Sequence, residues 1–140
     1  MLFCDFDDRQ AITSQHLFKV TTSVALDPCP ATFQTIAARA TIGSESCVVV
    51  VIYRPGSVDV PQMFFDDLSD LFDRVATTND ALFIVSYLNI HLERPDDVHA
   101  QRLRDLFGCY DLVVCNSEPT HDLGGSLTSL CLDATNPVLW

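Results

Sequence analysis

Residues 81–91 read Ala-Leu-Phe-Ile-Val-Ser-Tyr-Leu-Asn-Ile-His, an apolar run followed at once by a polar cluster. The apolar run is too short for a helix and has no wet side, so it predicts a buried strand at residues 81–85. A buried strand that ends in polar side chains holds functional groups rigidly at the edge of a sheet. The stretch therefore predicts a sheet protein with its site at the carboxyl end of this strand.

The segments around this stretch predict further strands. Residues 33–41 alternate between apolar and polar side chains, and residues 47–53 form a β-branched apolar run typical of a central strand. Gly43 and Ser44 between them predict a turn, so the pair predicts a hairpin. Other strands are predicted at residues 1–6, 12–26, 111–115 and 127–132.

Two segments predict amphipathic helices. The first starts near Asp59 and Pro61 and repeats apolar residues at helical spacing, namely Phe64, Leu68, Leu71, Phe72 and Val75. Its opposite side carries Asp66, Asp67, Asp70 and Asp73, which predict a solvated acidic face rather than a metal site. The second helix is predicted from about residue 96 to residue 107, with Gly108 as its stop.

Composition limits the classes of protein to consider. The chain has 140 residues, 48% of them hydrophobic, which predicts a single domain with one core. Lys and Arg total 8 against 19 Asp and Glu, and the net charge of -11 is the reverse of a protein that coats nucleic acids. No apolar run is long enough to cross a membrane, so no membrane partner is expected.

Cysteine usage predicts an intracellular protein. The six cysteines include no Cys-x-x-Cys pair, and acidic residues stand where a signal peptide would be basic. We therefore expect reduced thiols and a location in the nucleus or cytoplasm. The spacings of Cys109, Cys115, His121 and Cys131 match no structural zinc pattern.

Three polar clusters each follow a predicted strand, and their order carries a resemblance. They are Tyr53-Arg54-Pro55-Gly56, then Ser86 to His91, then Pro119-Thr120-His121 with Gly124-Gly125-Ser126-Leu127. Strand ends of one sheet are neighbours, so the clusters are expected to share one edge. Over residues 33–132 this order resembles the endonuclease/exonuclease/phosphatase superfamily, and within it the apurinic-type endonuclease domain of non-LTR (LINE-like) retrotransposons.

The resemblance implies a fold. It implies an α+β (α/β) domain that forms part of a four-layer sandwich, with two packed mixed β-sheets and outer helices. Residues 1–140 would be a single partial domain that lacks the family's N-terminal and C-terminal flanks. Half of such a sandwich leaves one sheet face uncovered, which predicts aggregation, binding of a partner, or self-association through that face.

The resemblance also implies a chemistry, Mg²⁺-dependent nicking of DNA by phosphodiester hydrolysis. Asn89 and His121 are implied as catalytic residues, with the Asn89 amide orienting the phosphate. The implied substrate contacts are Tyr53, Arg54, His91 and Thr120, with Arg54 as a clamp on the nucleic-acid backbone.

Two positions depart from the family's motifs. Tyr87 stands where the family has the Asp that activates water, and Thr128 stands where it has the Asp that orients a histidine. A phenol is a poor proton acceptor at neutral pH, and a threonine is no anionic partner for an imidazole. The family's metal-binding Glu and terminal His are expected outside residues 1–140. The sequence thus predicts a catalytically inactive domain in which Mg²⁺ binding is doubtful and DNA binding is weak or absent.

Other interpretations stay open at this point. The chain is an active nuclease if Glu93 or Asp96 supplies a replacement carboxylate. It is a non-catalytic nucleic-acid or protein interaction module if the Arg54 edge binds a partner. A phosphatase of the same superfamily is the third alternative.

Overall fold

The predicted strands that the structure describes all lie in one sheet. The computed structural model describes residues 18–42, 44–56, 59–116 and 127–132. Its elements are β1 (Phe18–Ser23), β2 (Gln34–Ile42), β3 (Glu45–Tyr53), α1 (Gln62–Val75), β4 (Ala81–Tyr87), α2 (Val98–Cys109), β5 (Val113–Asn116) and β6 (Leu127–Leu132). The predicted α+β class is confirmed, and the strand predicted at residues 1–6 lies outside the described residues.

The sheet has six strands in the order β1-β2-β3-β4-β6-β5. β2 and β3 form the predicted hairpin, in register from Ile42 opposite Glu45 to Gln34 opposite Tyr53. β3 and β4 are parallel, because α1 carries the chain back between them, and the other neighbours are antiparallel. The parallel pair brings the carboxyl ends of β3 and β4 to the same edge.

Both helices pack against one face of the sheet. Alternate residues of β3 and β4 are buried on that face, with Val50 and Ile84 inaccessible to solvent. The helices complete the same core with the apolar residues Phe64, Phe65, Leu68, Leu71, Phe72, Val75, Ala100, Leu103 and Phe107. The acidic side of α1 faces solvent as predicted at Asp66 and Asp70.

Asp67 departs from the prediction of a solvated acidic face. Its Oδ2 atom accepts hydrogen bonds from the main-chain amides of Ala31 and Thr32, each at 3.0 Å, and from Thr32 Oγ1 at 2.7 Å. The carboxylate thus holds the segment before β2 against α1, a contact between residues too distant in sequence for periodicity to predict.

The other face of the sheet carries an apolar patch on β2, β3 and β4, over which no described helix or strand packs. We call it the open face and define it as Ile36, Ala38, Val49, Val51, Tyr53, Phe83, Val85 and Tyr87. These residues lie in rows across three strands, because Ile36 pairs with Val51 and Val51 with Val85. Val51 is 46% exposed at the middle of the sheet.

The helix α2 does not stop at Gly108 as predicted. It runs on to Cys109, and Asp111 takes the left-handed conformation with φ 53°. The amide of Leu112 donates to the Phe107 carbonyl at 2.9 Å and that of Asp111 to the Gly108 carbonyl at 3.2 Å. This pair of bonds is a Schellman motif, so an aspartate rather than the glycine ends the helix.

The cysteine prediction is wrong for Cys29, which is disulfide-bonded. The absence of a Cys-x-x-Cys pair does not exclude pairing between cysteines that are distant in sequence. Cys47 and Cys109 are free thiols, and burial is the main cause that raises the pKa of Cys47. Among the described residues, neither helix has the length and apolar character needed to cross a membrane.

Candidate functional site

The candidate site lies at the edge where β3 and β4 end side by side. Tyr53 and Tyr87 are the last residues of these strands and are direct partners in the sheet. Their rings stack with centroids 6.1 Å apart and planes within 13°. Strand β4 is two residues longer than the predicted 81–85, because Ser86 and Tyr87 continue the pairing with β3. An aromatic pair thus occupies the place where the resemblance calls for a carboxylate.

Asn89 joins the ends of the two strands. Its backbone has φ 54°, a left-handed conformation that asparagine tolerates better than most residues. In this conformation the side-chain Nδ2 donates to the Arg54 carbonyl at 2.8 Å. The Arg54 amide in turn donates to the Tyr87 carbonyl at 2.9 Å. The structure therefore brings the first two polar clusters together, with the Asn89 amide as part of the connection.

Arg54 points into the protein rather than out of it. Its side chain is 2% exposed, and the guanidinium lies over the Phe64 ring, 5.4 Å from the centroid. It donates to the Leu88 carbonyl at 3.0 Å and to the Asp59 carbonyl at 2.8 Å. Burial lowers the pKa of Arg54, although a guanidinium stays charged at neutral pH. These contacts favour a structural role for Arg54 over the predicted contact with a nucleic-acid backbone.

His91 forms a pair with Glu93 beyond the end of β4. The His91 Nδ1 atom and the Glu93 Oε1 atom are 2.7 Å apart, and both side chains are partly exposed. The main-chain amide of Glu93 and then His91 hold the pKa of the Glu93 carboxyl below its ordinary value. A carboxylate bound in this way holds the imidazole ring of His91 in one orientation. Asp96, the other replacement carboxylate considered, is exposed in the loop before α2.

Leu127, the last residue of the third predicted cluster, begins β6 at the same edge. β6 is antiparallel to β4, with Leu127 opposite Tyr87 and Thr128 opposite Ser86. The two substituted positions, Tyr87 and Thr128, are therefore on adjacent strands, one residue out of register. The predicted site residues Thr120 and His121 lie outside the described residues.

The described residues do not fit a magnesium site. No three His, Cys, Asp or Glu side chains among them come together as a ligand set. Mg²⁺ prefers carboxylate oxygens, and the edge formed by Tyr53, Tyr87 and Asn89 presents phenol rings and an engaged amide instead. The Mg²⁺ dependence implied by the resemblance thus has no counterpart in the part of the chain that the structure describes.

Other basic side chains near this edge are engaged in local contacts that the sequence did not reveal. The guanidinium of Arg102 lies 4.2 Å from the centroid of the Phe65 ring. Arg104 donates to the Leu92 carbonyl and to the Arg94 carbonyl. The helical spacing of the sequence indicates that Arg102 and Arg104 lie on α2, but it does not indicate which groups they contact.

Comparisons with known proteins assign no family to this chain. The chain matches no protein-family model, and a search of curated proteins finds no relative of significant similarity. The resemblance to the endonuclease family therefore depends on the order of the motifs in residues 33–132 and stays a prediction.

Proposed function

We propose that this chain is a catalytically inactive relative of the apurinic-type endonuclease domain of non-LTR retrotransposons. The order of the three motifs supports the relationship, and the parallel ends of β3 and β4 with the antiparallel start of β6 agree with it. In the four-layer sandwich of that family, the sheet and helices described here would form one half.

The stacked pair of Tyr53 and Tyr87 carries the proposal of inactivity. Phosphodiester hydrolysis needs a base that aligns and deprotonates water, and its loss alone costs about 10²- to 10⁴-fold in rate. At the end of β4 the ring of Tyr87 is stacked on Tyr53 and offers no such base. The neighbouring Asn89 amide already donates to the Arg54 carbonyl, so this hydrogen is not directed at a phosphate.

A nicking assay tests the proposal. Purified protein is incubated with supercoiled plasmid and Mg²⁺, and the nicked form is measured for the wild type and for Asn89→Ala. We expect no nicking above the buffer background for either protein. Nicking by the wild type that disappears in Asn89→Ala would show that the edge is an active site.

The paired reversion Tyr87→Asp with Thr128→Asp belongs in the same assay. We expect it to remain inactive, because the family's metal-binding Glu and terminal His have no match in residues 33–132. Cleavage restored by these two changes would show that they alone silence the site.

A protein-interaction role is the second candidate, and the open face favours it over nucleic-acid binding. None of its residues is charged, while Val51 and Tyr53 are each 46% exposed. Nucleic-acid binding depends on lysine and arginine contacts to phosphate, which such a surface does not offer. No observation among the described residues favours a phosphatase.

A further inference from the structure

We propose that Tyr53 and Tyr87 form an oxidative cross-linking site, at which a one-electron oxidant joins the two rings as dityrosine. The two residues are direct partners in the parallel pair of β3 and β4, and their rings stack with centroids 6.1 Å apart and planes within 13°. Tyr53 is 46% exposed and Tyr87 is partly exposed, so the pair is open to a small oxidant in solution. This modification is separate from the proposed loss of nuclease activity.

The cross-link is a coupling of two phenoxyl radicals. Each ring gives one electron to the oxidant and the proton of its hydroxyl group to water, and the two radicals then form one carbon–carbon bond between ring carbons that neighbour the oxygens. The hydrogen atoms on those carbons move to the oxygens, which restores both phenols. The protein thus loses two protons and two electrons, and two equivalents of the oxidant are reduced.

The sheet holds the two rings in position for this coupling. Neighbouring strands are about 4.8 Å apart, and pairing with each other and with β2 and β6 fixes the backbone of both tyrosines. Just beyond the strand ends, the Arg54 amide donates to the Tyr87 carbonyl at 2.9 Å. Rotation of a tyrosine ring about its bond to Cβ is soft, so the rings turn toward each other without a change in the backbone. Groups held side by side in this way react as if at a far higher concentration than separate molecules.

The residues next to the pair on the open face do not compete for the oxidant. Val51 and Val85 precede the tyrosines on the same side of β3 and β4, and aliphatic side chains are poor one-electron donors. Cys47 is a buried free thiol on β3, and it lies six residues before Tyr53, about 20 Å along the strand. A radical on either ring is therefore much closer to the other tyrosine than to this thiol.

Tyr110 supplies a matched control for the pair. Its hydroxyl donates to Asp73 Oδ1 at 2.5 Å, and its ring packs edge-on against Phe72 with centroids 5.3 Å apart. Phenylalanine has no hydroxyl group, so this second ring pair cannot form dityrosine. The chain has three tyrosines, so an intrachain dityrosine that does not depend on Tyr110 joins Tyr53 to Tyr87.

Photo-oxidation with tris(bipyridyl)ruthenium and persulfate, which together generate a one-electron oxidant, tests the proposal. The dilute protein is oxidised and reduced at its disulfides, and the dityrosine fluorescence of the single-chain band on a denaturing gel is measured. We expect equal fluorescence for the wild type and Tyr110→Phe, and about tenfold less for Tyr53→Phe and for Tyr87→Phe, which keep the rings but lack one phenol of the pair. After digestion of the wild type, a linked peptide should contain Tyr53 and Tyr87 and lack two hydrogen atoms.

Oxidation of the wild type in concentrated urea shows whether the sheet supplies the proximity. In an unfolded chain, residues as far apart in sequence as Tyr53 and Tyr87 lie roughly 30 Å or more from each other. We expect about tenfold less intrachain dityrosine in urea than in buffer.

The proposal is overturned by equal yields in urea and in buffer, or by dityrosine that is absent or confined to linked dimers. It is also overturned if the intrachain fluorescence falls in Tyr110→Phe or is unchanged in Tyr53→Phe. The urea comparison and the linked peptide use the wild type alone, so they decide the proposal even if a variant does not fold.

Discussion

Arg54 and Asn89 show that the position of a residue in the sequence does not by itself indicate what its side chain contacts. The sequence places both at the ends of predicted strands, and the structure has them there. The direction of each side chain depends on acceptors that sequence periodicity does not reveal, namely the carbonyls of Leu88 and Asp59 for Arg54 and that of Arg54 for Asn89. A residue suited to holding phosphate therefore holds the backbone instead.

Removal of the Arg54 side chain is expected to destabilise the fold. Arg54→Ala leaves the buried Leu88 carbonyl and the partly buried Asp59 carbonyl without this donor and creates a cavity against Phe64, so we expect a loss of about 3 kcal/mol in the free energy of unfolding. Arg94 is exposed, and Arg94→Ala should stay within about 0.5 kcal/mol of the wild type. Urea unfolding followed by circular dichroism measures both. Equal stability of the two variants would mean that the Arg54 contacts do not form.

The two ends of α2 differ in how well the sequence predicts them. Asp97 precedes the helix, and its Oδ1 accepts from the amides of His99 at 2.8 Å and Ala100 at 3.1 Å. An aspartate before a helical pattern is a recognised start signal, so this end could be predicted to within two residues. The predicted stop of the helix at Gly108 was wrong. Asp111 adopts the left-handed conformation that usually favours glycine, whereas Gly108 was the nearest glycine in the sequence.

The cap at Asp97 makes the stability of α2 dependent on pH. The amide of Ala100, and then that of His99, holds the pKa of Asp97 below its ordinary value. A carboxyl whose pKa is lowered on folding stabilises the protein above its ordinary pKa, and this contribution is lost as pH falls through the folded value. We expect Asp97→Ala to cost about 1 kcal/mol at pH 7 and progressively less below pH ~4.

Urea unfolding of the wild type and Asp97→Ala between pH 2 and pH 7 checks this expectation. Asp97→Asn serves as the control, since it keeps a capping oxygen without a titrating charge. A difference between the wild type and Asp97→Ala that stays constant across this range would show that the charge of Asp97 is not involved.

At the scale of the whole molecule, the sequence predicted the kinds of element better than their arrangement. Strand β3 carries valines on both of its faces. This pattern predicted a central strand but did not indicate which elements pack against each face. The structure shows helices on the side of Val48 and Val50, while Val49 and Val51 lie on the open face. The order of the six strands was also beyond prediction, because it depends on pairings between distant segments.

We propose that the residues at the ends of β3 and β4 hold the sheet edge together rather than bind a phosphate. The unfolding free energy of Asn89→Asp tests it most directly, because this change keeps the shape and the left-handed backbone but replaces the donor with an acceptor facing the Arg54 carbonyl. We expect a loss of about 2 kcal/mol, against less than about 0.5 kcal/mol for the exposed control Asn79→Asp. Equal stability of the two variants would contradict the claim.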